Sequence, residues 1–267
     1  YNNGMRLDKY LFENKGINSR EKAQSLIKQG FVLVDGKSIL KPSYELLCNE
    51  NITILDYPKY VSRGAEKLLG AVKSFDLDFT GKIVTDIGAS TGGFTQVALE
   101  KGAKRVYAVD VGKGELDKSL AEDERVVNIE NTDFRSLSYD RVKDTNMVIG
   151  DISFISLRYI MPKIKELFGC PEMVILFKPQ FECGMEIANK YKGVIKNASI
   201  HRNLLKDFLL YLPTIGFYAC GLTFSPIQGK SGNIEYLFYL NGTKPFSFSI
   251  DDVVKRAFEH FKRVGNK

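Results

Sequence analysis

The sequence I-V-T-D-I-G-A-S-T-G-G-F-T at residues 83–95 leads from a β-branched run into a turn that carries Gly88, Gly92 and Gly93. A helix-like stretch follows, and a second apolar run at residues 105–109 ends in Asp110. A strand, a glycine-rich turn, a helix and a second strand form the kind of βαβ unit in which open sheets bind cofactors. The sequence therefore predicts an α/β fold with a cofactor turn at the end of its first strand.

The spacing of the glycines limits which cofactor this turn can hold. Gly88 and Gly93 have the P-loop spacing, but Phe94 stands where the P-loop lysine would reach the phosphates. The dinucleotide fingerprint needs a glycine where this chain has Ser90, which disfavours a pyrophosphate. S-adenosylmethionine (SAM) has no phosphate and needs neither device, and Asp110 could accept hydrogen bonds from its ribose hydroxyls. On the evidence of the turn alone, the alternative is an ordinary tight turn in another kind of α/β protein.

Composition narrows the class of protein. The chain has 267 residues, room for a large and a small domain, and 38 basic against 32 acidic residues give a net charge of +6. This excess favours a polyanionic partner.

Four cysteines without a C-x-x-C pair and only two histidines lead us to expect no metal. No apolar run approaches the roughly 20 residues that span a bilayer, and no signal peptide is present, so we expect a cytoplasmic protein without a membrane partner. Oligomeric state stays open.

Residues 5–55 are predicted to form a separate small α+β domain. An apolar face at helical spacing indicates a first helix, and Asn18 is predicted to cap a second helix that ends at Gly30. An Asp35–Gly36 turn then joins two short strands in a hairpin. Eight basic and four acidic side chains within residues 5–41 give a net charge of +4, which is most of the excess of the whole chain.

Residues 56–62, which include Pro58, are predicted to be a linker, and residues 63–267 a second domain. Strands are expected at residues 83–87, 105–109, 125–129, 146–149, 173–177, 218–223 and 236–240. Several of these are continuous apolar runs, as expected for strands covered on both faces. The pattern predicts a Rossmann-like, doubly wound and mostly parallel sheet, closed by an amphipathic helix that starts near Asp251.

Four polar residues stand at the boundaries of predicted elements: Lys67, Asp151, Lys178 and Glu235. In an open α/β sheet, ligands bind beyond the carboxyl ends of the strands, which is where Asp151 and Lys178 are expected. Pro179 restricts Lys178 to an extended backbone. Each residue also has an ordinary explanation, such as a helix-face charge for Lys67 or an edge-strand acid for Glu235.

The N-terminal domain resembles the S4 RNA-binding domain through M-R-L-D-K-Y-L at residues 5–11 and S-R-E-K-A-Q-S-L-I-K-Q-G-F-V-L-V-D-G-K at residues 19–37. The resemblance implies salt-sensitive contacts with RNA phosphates. The residues expected to make these contacts are Arg6, Lys9, Arg20 and Lys22. Arg63, in the second domain, is also expected to bind RNA. A solvated basic face on a helix pair is the alternative.

The whole chain from Met5 resembles the TlyA (hemolysin A) family, in which an S4 domain precedes an FtsJ-like methyltransferase. The resemblance rests on Y-V-S-R-G-A-E-K, D-I-G-A-S-T-G-G-F-T, Y-A-V-D-V-G, G-D-I-S-F-I-S-L, F-K-P-Q-F-E and G-N-I-E-Y, in this order. It implies SAM-dependent 2′-O-methylation of a cytidine ribose in ribosomal RNA, with the RNA or a ribosomal subunit as partner. The chain resembles the shorter form of the family, which implies 23S RNA of the large subunit as the target.

The resemblance also assigns the expected site residues. Lys67, Asp151, Lys178 and Glu235 match the K-D-K-E tetrad of FtsJ-type enzymes, in which Lys178 would orient and deprotonate the 2′-hydroxyl while the other three support it. The expected SAM-binding residues are Asp86, Gly88, Ala89, Ser90, Gly92, Gly93, Phe94, Thr95, Asp110, Val111, Asp133 and Phe134.

Three other functions fit parts of the sequence less well. A membrane-active hemolysin is disfavoured because no spanning segment or signal peptide is seen, although an interfacial helix stays open. An RNA-binding protein with an inactive methyltransferase fold would fail to bind SAM. A pseudouridine synthase shares the S4-like front end but has no use for the turn between Gly88 and Gly93.

Overall fold

The N-terminal unit combines two helices with short antiparallel strands. Of the whole chain, the computed structural model describes residues 4–17, 19–47, 50–56 and 59–264. The elements of this unit are β1 (Met5–Arg6), α1 (Leu7–Asn14), α2 (Arg20–Lys28), β2 (Val32–Val34), β3 (Lys37–Ser38), β4 (Glu45–Leu46) and β5 (Ile52–Ile54). The predicted helix pair and hairpin are confirmed, since β2 pairs antiparallel with β3 across the Asp35–Gly36 turn.

Helix α2 begins one residue later than predicted. Its N-cap is Ser19, whose Oγ accepts a hydrogen bond from the backbone N–H of Lys22 at 3.1 Å. Asn18, the predicted cap, lies outside the described residues. Asparagine and serine cap helices about equally well, so the sequence did not decide between these neighbours.

The C-terminal unit carries the predicted alternation of strands and helices. Its elements are α3 (Gly64–Phe75), β6 (Ile83–Ile87), α4 (Gly93–Glu100), β7 (Arg105–Val109), α5 (Lys118–Ala121), β8 (Val126–Ile129), β9 (Met147–Gly150), α6 (Met161–Phe168), β10 (Glu172–Phe177), α7 (Pro179–Glu182), α8 (Gly184–Lys190), α9 (Ala198–Thr214), β11 (Ala219–Phe224), β12 (Tyr236–Leu240) and α10 (Ile250–Val264).

Seven strands form the central sheet in the order β11-β12-β10-β9-β6-β7-β8. The five strands from β10 to β8 are parallel, whereas β12 runs antiparallel to both of its neighbours. Tyr236 at the start of β12 therefore pairs with Phe177 at the end of β10. Because of this reversal, the residue before β12 lies at the edge where the parallel strands end.

Both faces of the sheet are buried under helices. Alternate residues of β10 point to opposite sides: Met173 and Ile175 pack with α6, α9 and α10, whereas Val174 and Leu176 pack with α3 and α4. Burial of side chains of this size stabilises the fold by about 1.5–3 kcal/mol each, which explains the continuous apolar runs. The predicted doubly wound, parallel-rich sheet is confirmed.

Contacts divide the chain into residues 1–59 and residues 60–267. The domain and linker bounds predicted from sequence, 5–55, 56–62 and 63–267, stay predictions. No helix in the described part of the chain is both long and apolar enough to pass through a bilayer.

Candidate active site

Four charged side chains from separate parts of the C-terminal unit meet at the carboxyl edge of the sheet. Asp151 follows β9 and Lys178 follows β10, while Glu235 precedes the reversed strand β12. Lys67 comes from the first turns of α3, a helix that buries Ala65 and Leu68 against the sheet. The structure thus brings together all four residues that the sequence singled out.

The carboxylate of Asp151 binds one lysine with each of its oxygens. Lys178 Nζ lies 2.6 Å from Oδ1 and Lys67 Nζ lies 3.2 Å from Oδ2. Lys67 also lies 2.8 Å from Glu235 Oε2. Lys178 donates a second hydrogen bond to Ser153 Oγ at 2.6 Å. Each ammonium group therefore faces carboxylate oxygens.

Burial makes this pairing obligatory. Lys67, Lys178 and Glu235 are exposed by only 8%, 6% and 2%. Two ammonium groups and two carboxylates sum to zero charge, which is how buried charges are tolerated. Burial alone would lower the pKa of Lys67, but Asp151 and Glu235 outweigh it and raise that pKa. Burial would likewise raise the pKa of Asp151, but the two lysines outweigh it and lower that pKa. At neutral pH, Lys67 is thus a fixed cation and Asp151 a fixed anion.

The glycine turn packs directly against this cluster. Gly88 has a φ of +79°, and a Cβ there would lie 2.9 Å from the carbonyl oxygen of Asp151. At Gly93, a Cβ would clash with Ser62 Oγ and would lie 2.9 Å from the backbone nitrogen of Ala65, at the start of α3. Glycine is required at both positions because the turn touches the backbone that carries the charged residues.

Asp110 and Asp86 hold the two ends of this turn. Asp110, at the end of β7, accepts the N–H of Ser90 at 2.8 Å and that of Gly112 at 2.7 Å. Asp86 is fully buried and accepts the hydroxyl of Thr95 at 2.7 Å through Oδ2. Its Oδ1 has no hydrogen-bond partner among the described residues. Burial is the main reason that the pKa of Asp86 is raised to about 7. A buried acceptor without a donor fits a ligand that brings a cationic donor.

The remaining residues of the predicted cofactor set differ in burial and position. Ala89, Phe94 and Phe134 are buried in the apolar core, the first two on one face of the sheet and Phe134 on the other. Val111 is 69% exposed, and Asp133 caps a short 3₁₀ turn through the N–H of Arg135 at 2.9 Å. Gly92 has a φ of +96° at the N-cap of α4. No group of histidine, cysteine or acidic residues that could hold a metal occurs within the described ranges.

Sequence reasoning missed three residues at the site. Ser153 binds Lys178, and Gln180 Nε2 donates to Glu235 Oε1 at 3.1 Å. Phe154 is 91% exposed with a φ of +67°, and its ring centroid lies 5.3 Å from that of Phe181. An exposed phenylalanine in the left-handed region is unusual, and residues with strained backbone cluster at functional sites. The one available signal was an aromatic residue three positions after the strand-end acid.

In the N-terminal unit, two of the predicted RNA-binding residues share one buried acid. Arg6 makes a bidentate pair with Asp8 at 3.1 and 2.9 Å, and Arg20 lies 3.3 Å from the same carboxylate. Both arginine side chains are 44% exposed. Lys9 pairs with Glu13 at 3.8 Å on the same helix.

The other two predicted RNA contacts differ in exposure. Lys22 is half-buried in α2, whereas Arg63 is exposed at the N-cap of α3 in the C-terminal unit.

Family models match both parts of the chain: the S4 domain over residues 5–52 and the FtsJ-like methyltransferase over residues 60–242. The chain belongs to the FtsJ-like methyltransferase family. The buried Lys-Asp-Lys-Glu cluster is therefore the candidate active site of a methyltransferase that carries an S4 domain in front.

Relatives match this FtsJ-like chain over nearly its whole length. The 16S/23S rRNA (cytidine-2′-O)-methyltransferase TlyA of Mycobacterium tuberculosis is 36% identical, over 94% of this chain and 96% of the relative. The 23S rRNA (cytidine-2′-O)-methyltransferase TlyA of Campylobacter jejuni is also 36% identical, over 88% and 98%. A solved structure described as a putative hemolysin from Streptococcus thermophilus aligns with a TM-score of 0.74 and 36% identity, covering 99% of each chain. The predicted membership of the TlyA family is confirmed.

Proposed function

We propose that the protein is a SAM-dependent 2′-O-methyltransferase that acts on a cytidine ribose of ribosomal RNA. The observation that carries the proposal is the Asp151 carboxylate, which holds two buried ammonium groups beside a glycine turn. Relatives that align with most of this chain carry this activity in their names. RNA modification of this kind would take place in the cytoplasm, with ribosomal RNA or a subunit as the partner.

SAM supplies an electrophilic methyl group on a sulfonium. The turn after β6 would hold its amino acid part, and the unpartnered Oδ1 of Asp86 fits the α-ammonium group. Asp110 lies at the end of the neighbouring strand β7, where a carboxylate can accept both hydroxyls of an adenosine ribose. The exposed Val111 and the backbone near Asp133 would flank the adenosine.

Lys178 is the residue that would act on the acceptor hydroxyl. In its amine form, Lys178 would accept the 2′-OH proton and become an ammonium ion. The oxygen would bond to the methyl carbon as the bond from that carbon to sulfur breaks, which leaves a neutral thioether as the product of SAM. Lys67 stays protonated and would offset the negative charge that develops on the oxygen. Asp151 and Glu235 fix both lysines, so little reorganisation would be needed as the reaction proceeds.

Phe154 supports a nucleotide as the acceptor. Its ring is exposed and packs against that of Phe181. Phe154 directly follows Ser153, which binds Lys178. An exposed ring is a stacking surface for a base that has left its helix, and such stacking contributes about 1–3 kcal/mol per base. A base held there would bring its ribose towards Lys178.

The S4 domain would bind RNA through the arginines ordered by Asp8. Phosphate contacts by Arg6 and Arg20 position the RNA without reading its sequence. The large-subunit RNA is the proposed target, as it is for the Campylobacter relative by name. The Mycobacterium relative is named for both subunits, so the small subunit is the second substrate to be tested.

The test compares ribosomal RNA from cells with and without the gene for this protein. A 2′-O-methyl group protects the adjoining phosphodiester from alkaline cleavage, so protected positions can be mapped along 16S and 23S RNA. We expect one protected cytidine in 23S RNA, lost without the protein and restored by the wild type but not by Lys178→Ala. A map that is identical in both strains would contradict the proposed function.

A further inference from the structure

A groove lined by lysines lies beside the candidate active site. It runs between the turn at residues 191–196 and the turn at residues 228–232, with Lys192, Lys196 and Gln228 among its walls, and its volume is about 700 Å³. This space is large enough for the backbone of a nucleic acid strand, and no part of the proposed chemistry uses it.

The charge of the groove has one sign. Residues 190–196 and 228–232 contain four lysines and no acidic residue, a net charge of 4 − 0 = +4. The lysines are Lys190, Lys192, Lys196 and Lys230, and all four are exposed. In the described part of the chain, none of the four lies within ion-pair distance of a carboxylate. Their charge is therefore available to an anionic partner.

Both turns are fixed to the segment just before β12 that carries Glu235. Asn233, which is buried, accepts the N–H of Ile195 at 2.9 Å and donates to the carbonyl of Gly193 at 2.8 Å. The N–H of Gly229 donates to the carbonyl of Asn233 at 2.9 Å. Asn233 thus joins the two walls, and the groove is formed before any ligand arrives.

A buried histidine braces the same wall from beneath. His201 Nε2 lies 2.8 Å from the carbonyl oxygen of Ile195, and Nδ1 lies 2.8 Å from the hydroxyl of Tyr236. Burial lowers the pKa of His201 to about 4, so its ring is neutral at physiological pH. It is therefore a structural brace and adds no charge to the groove.

The groove opens next to the acceptor side of the site. A Cβ on Gly229 would lie 2.6 Å from Glu235 Oε1, so the 228–232 turn rests on the carboxylate that holds Lys67. An RNA strand whose ribose reaches Lys178 would place the phosphates next to that ribose near the turn at residues 228–232.

We propose that this groove binds the phosphodiester backbone of the RNA strand next to the nucleotide being methylated. The inference rests on the proposed function. It assigns the C-terminal unit an RNA contact of its own, beside the contact expected from the S4 domain. Among the described residues of the lining, the one ring is that of Tyr191, which lies under the Lys190 ammonium group, whose Nζ is 5.9 Å from the ring centroid. Flexible lysine ammonium groups suit phosphates rather than base edges, so the contact carries no sequence preference.

The test uses the full chain with both lysines of the groove wall reversed, Lys192→Glu with Lys196→Glu. The matched control is Lys101→Glu with Lys104→Glu, which changes the net charge by the same amount at exposed positions before β7, on the opposite edge of the sheet. The probe is unmodified 23S RNA transcribed in vitro. Affinity is measured by filter binding over a series of salt concentrations, and SAM affinity by calorimetry.

We expect the groove variant to bind RNA at least tenfold more weakly than the control. We also expect the slope of log K against log salt to become shallower by about 1–2, because each lost phosphate contact removes about 0.7–0.9. SAM affinity should stay unchanged in both variants. Equal weakening in the two variants, or no weakening in either, would overturn the proposal.

Failure of the proposed function gives a different result. If wild-type protein transfers no methyl group to RNA but its RNA affinity still depends on Lys192 and Lys196, the groove stands and the proposed reaction falls. If methyl transfer occurs and the groove variant retains wild-type RNA affinity and salt slope, the reaction stands and the groove falls.

Discussion

Asp86, at the start of the cofactor turn, is a residue whose ionisation lowers the stability of the fold. Its carboxyl is fully buried at the end of β6, with one oxygen bound by Thr95 and the other without a partner in the described part of the chain. Folding therefore favours the protonated acid, and its pKa is raised to about 7. Without a cationic ligand, ionisation of Asp86 opposes folding.

This predicts a stability difference that depends on pH. Between about pH 4 and pH 7 the folded protein holds a proton at Asp86 that the unfolded chain releases, so this residue lowers the free energy of unfolding as pH rises. Asp86→Asn lacks this proton. Relative to wild type, the variant should gain stability from pH 4 to pH 8, by at most about 4 kcal/mol at 1.36 kcal/mol per pKa unit.

Urea unfolding of both proteins without SAM, at pH 4.5, 6 and 8, measures this difference. Other titrating groups, including His201, cancel in the comparison because both proteins carry them. A difference that is constant over this range would show that Asp86 is already ionised in the folded protein.

The site residues that the sequence predicted follow from the order of the strands, whereas those it missed depend on local backbone conformation and exposure. Asp151 and Lys178 follow apolar strands, and the carboxyl ends of parallel strands share an edge, so their proximity could be argued from order alone. Phe154 is defined by its left-handed backbone and by exposure, which no periodic pattern reports. Ser153 was missed because a serine after a strand reads as an ordinary turn residue.

Among the elements, the reversed strand β12 decides the composition of the site. Sequence alone left Glu235 open as an edge-strand acid, and that interpretation is wrong because β12 lies between β10 and β11. Antiparallel insertion places the start of β12 beside the end of β10 and so brings Glu235 to Lys67. From the sequence, only the family resemblance indicated that Glu235 lies beside Lys67.

The helix pair of the N-terminal unit depends on Asp8 in a comparable way. The carboxylate of Asp8, on α1, binds Arg20 at 3.3 Å and Gln24 Nε2 at 2.9 Å, both on α2, in addition to Arg6. Burial would raise the pKa of Asp8, but these three donors outweigh it and lower that pKa. The acid therefore stabilises the unit above about pH 4, and this contribution falls as pH decreases below that value.

Asp8→Asn should loosen this pair of helices at pH 7. Loss of charge-assisted hydrogen bonds to a buried group costs about 2–3 kcal/mol. Hydrogen exchange measured by mass spectrometry should accelerate in peptides from α1 and α2 and stay unchanged in those from residues 60–264. Glu13→Gln, which removes only the exposed pair with Lys9, is the control and should have little effect. Exchange at wild-type rates in Asp8→Asn would show that Asp8 does not hold the helices together.

In the whole molecule, separate parts would carry out three tasks. The turn after β6 and the end of β7 would hold SAM, the four charged residues would prepare the ribose, and the S4 domain with the lysine groove would hold the RNA. Sequence predicted the doubly wound sheet because covered strands are continuously apolar. It did not reveal the groove, whose two walls are 32 residues apart in the chain between Lys196 and Gln228 and are joined by Asn233.

The central claim is that Lys178 acts on the acceptor hydroxyl and takes no part in holding SAM. Single-turnover methyl transfer from SAM to unmodified 23S RNA, measured together with SAM affinity by calorimetry, tests it most directly. Relative to wild type, Lys178→Ala should transfer the methyl group at least about 100-fold more slowly, in keeping with the loss of a general base. Its SAM affinity should stay within about twofold, a change of less than ~0.5 kcal/mol. Lys118→Ala, which removes an exposed lysine from α5, should match wild type in both measurements. Wild-type transfer rates in Lys178→Ala, or an equal loss of transfer and SAM binding, would contradict the account.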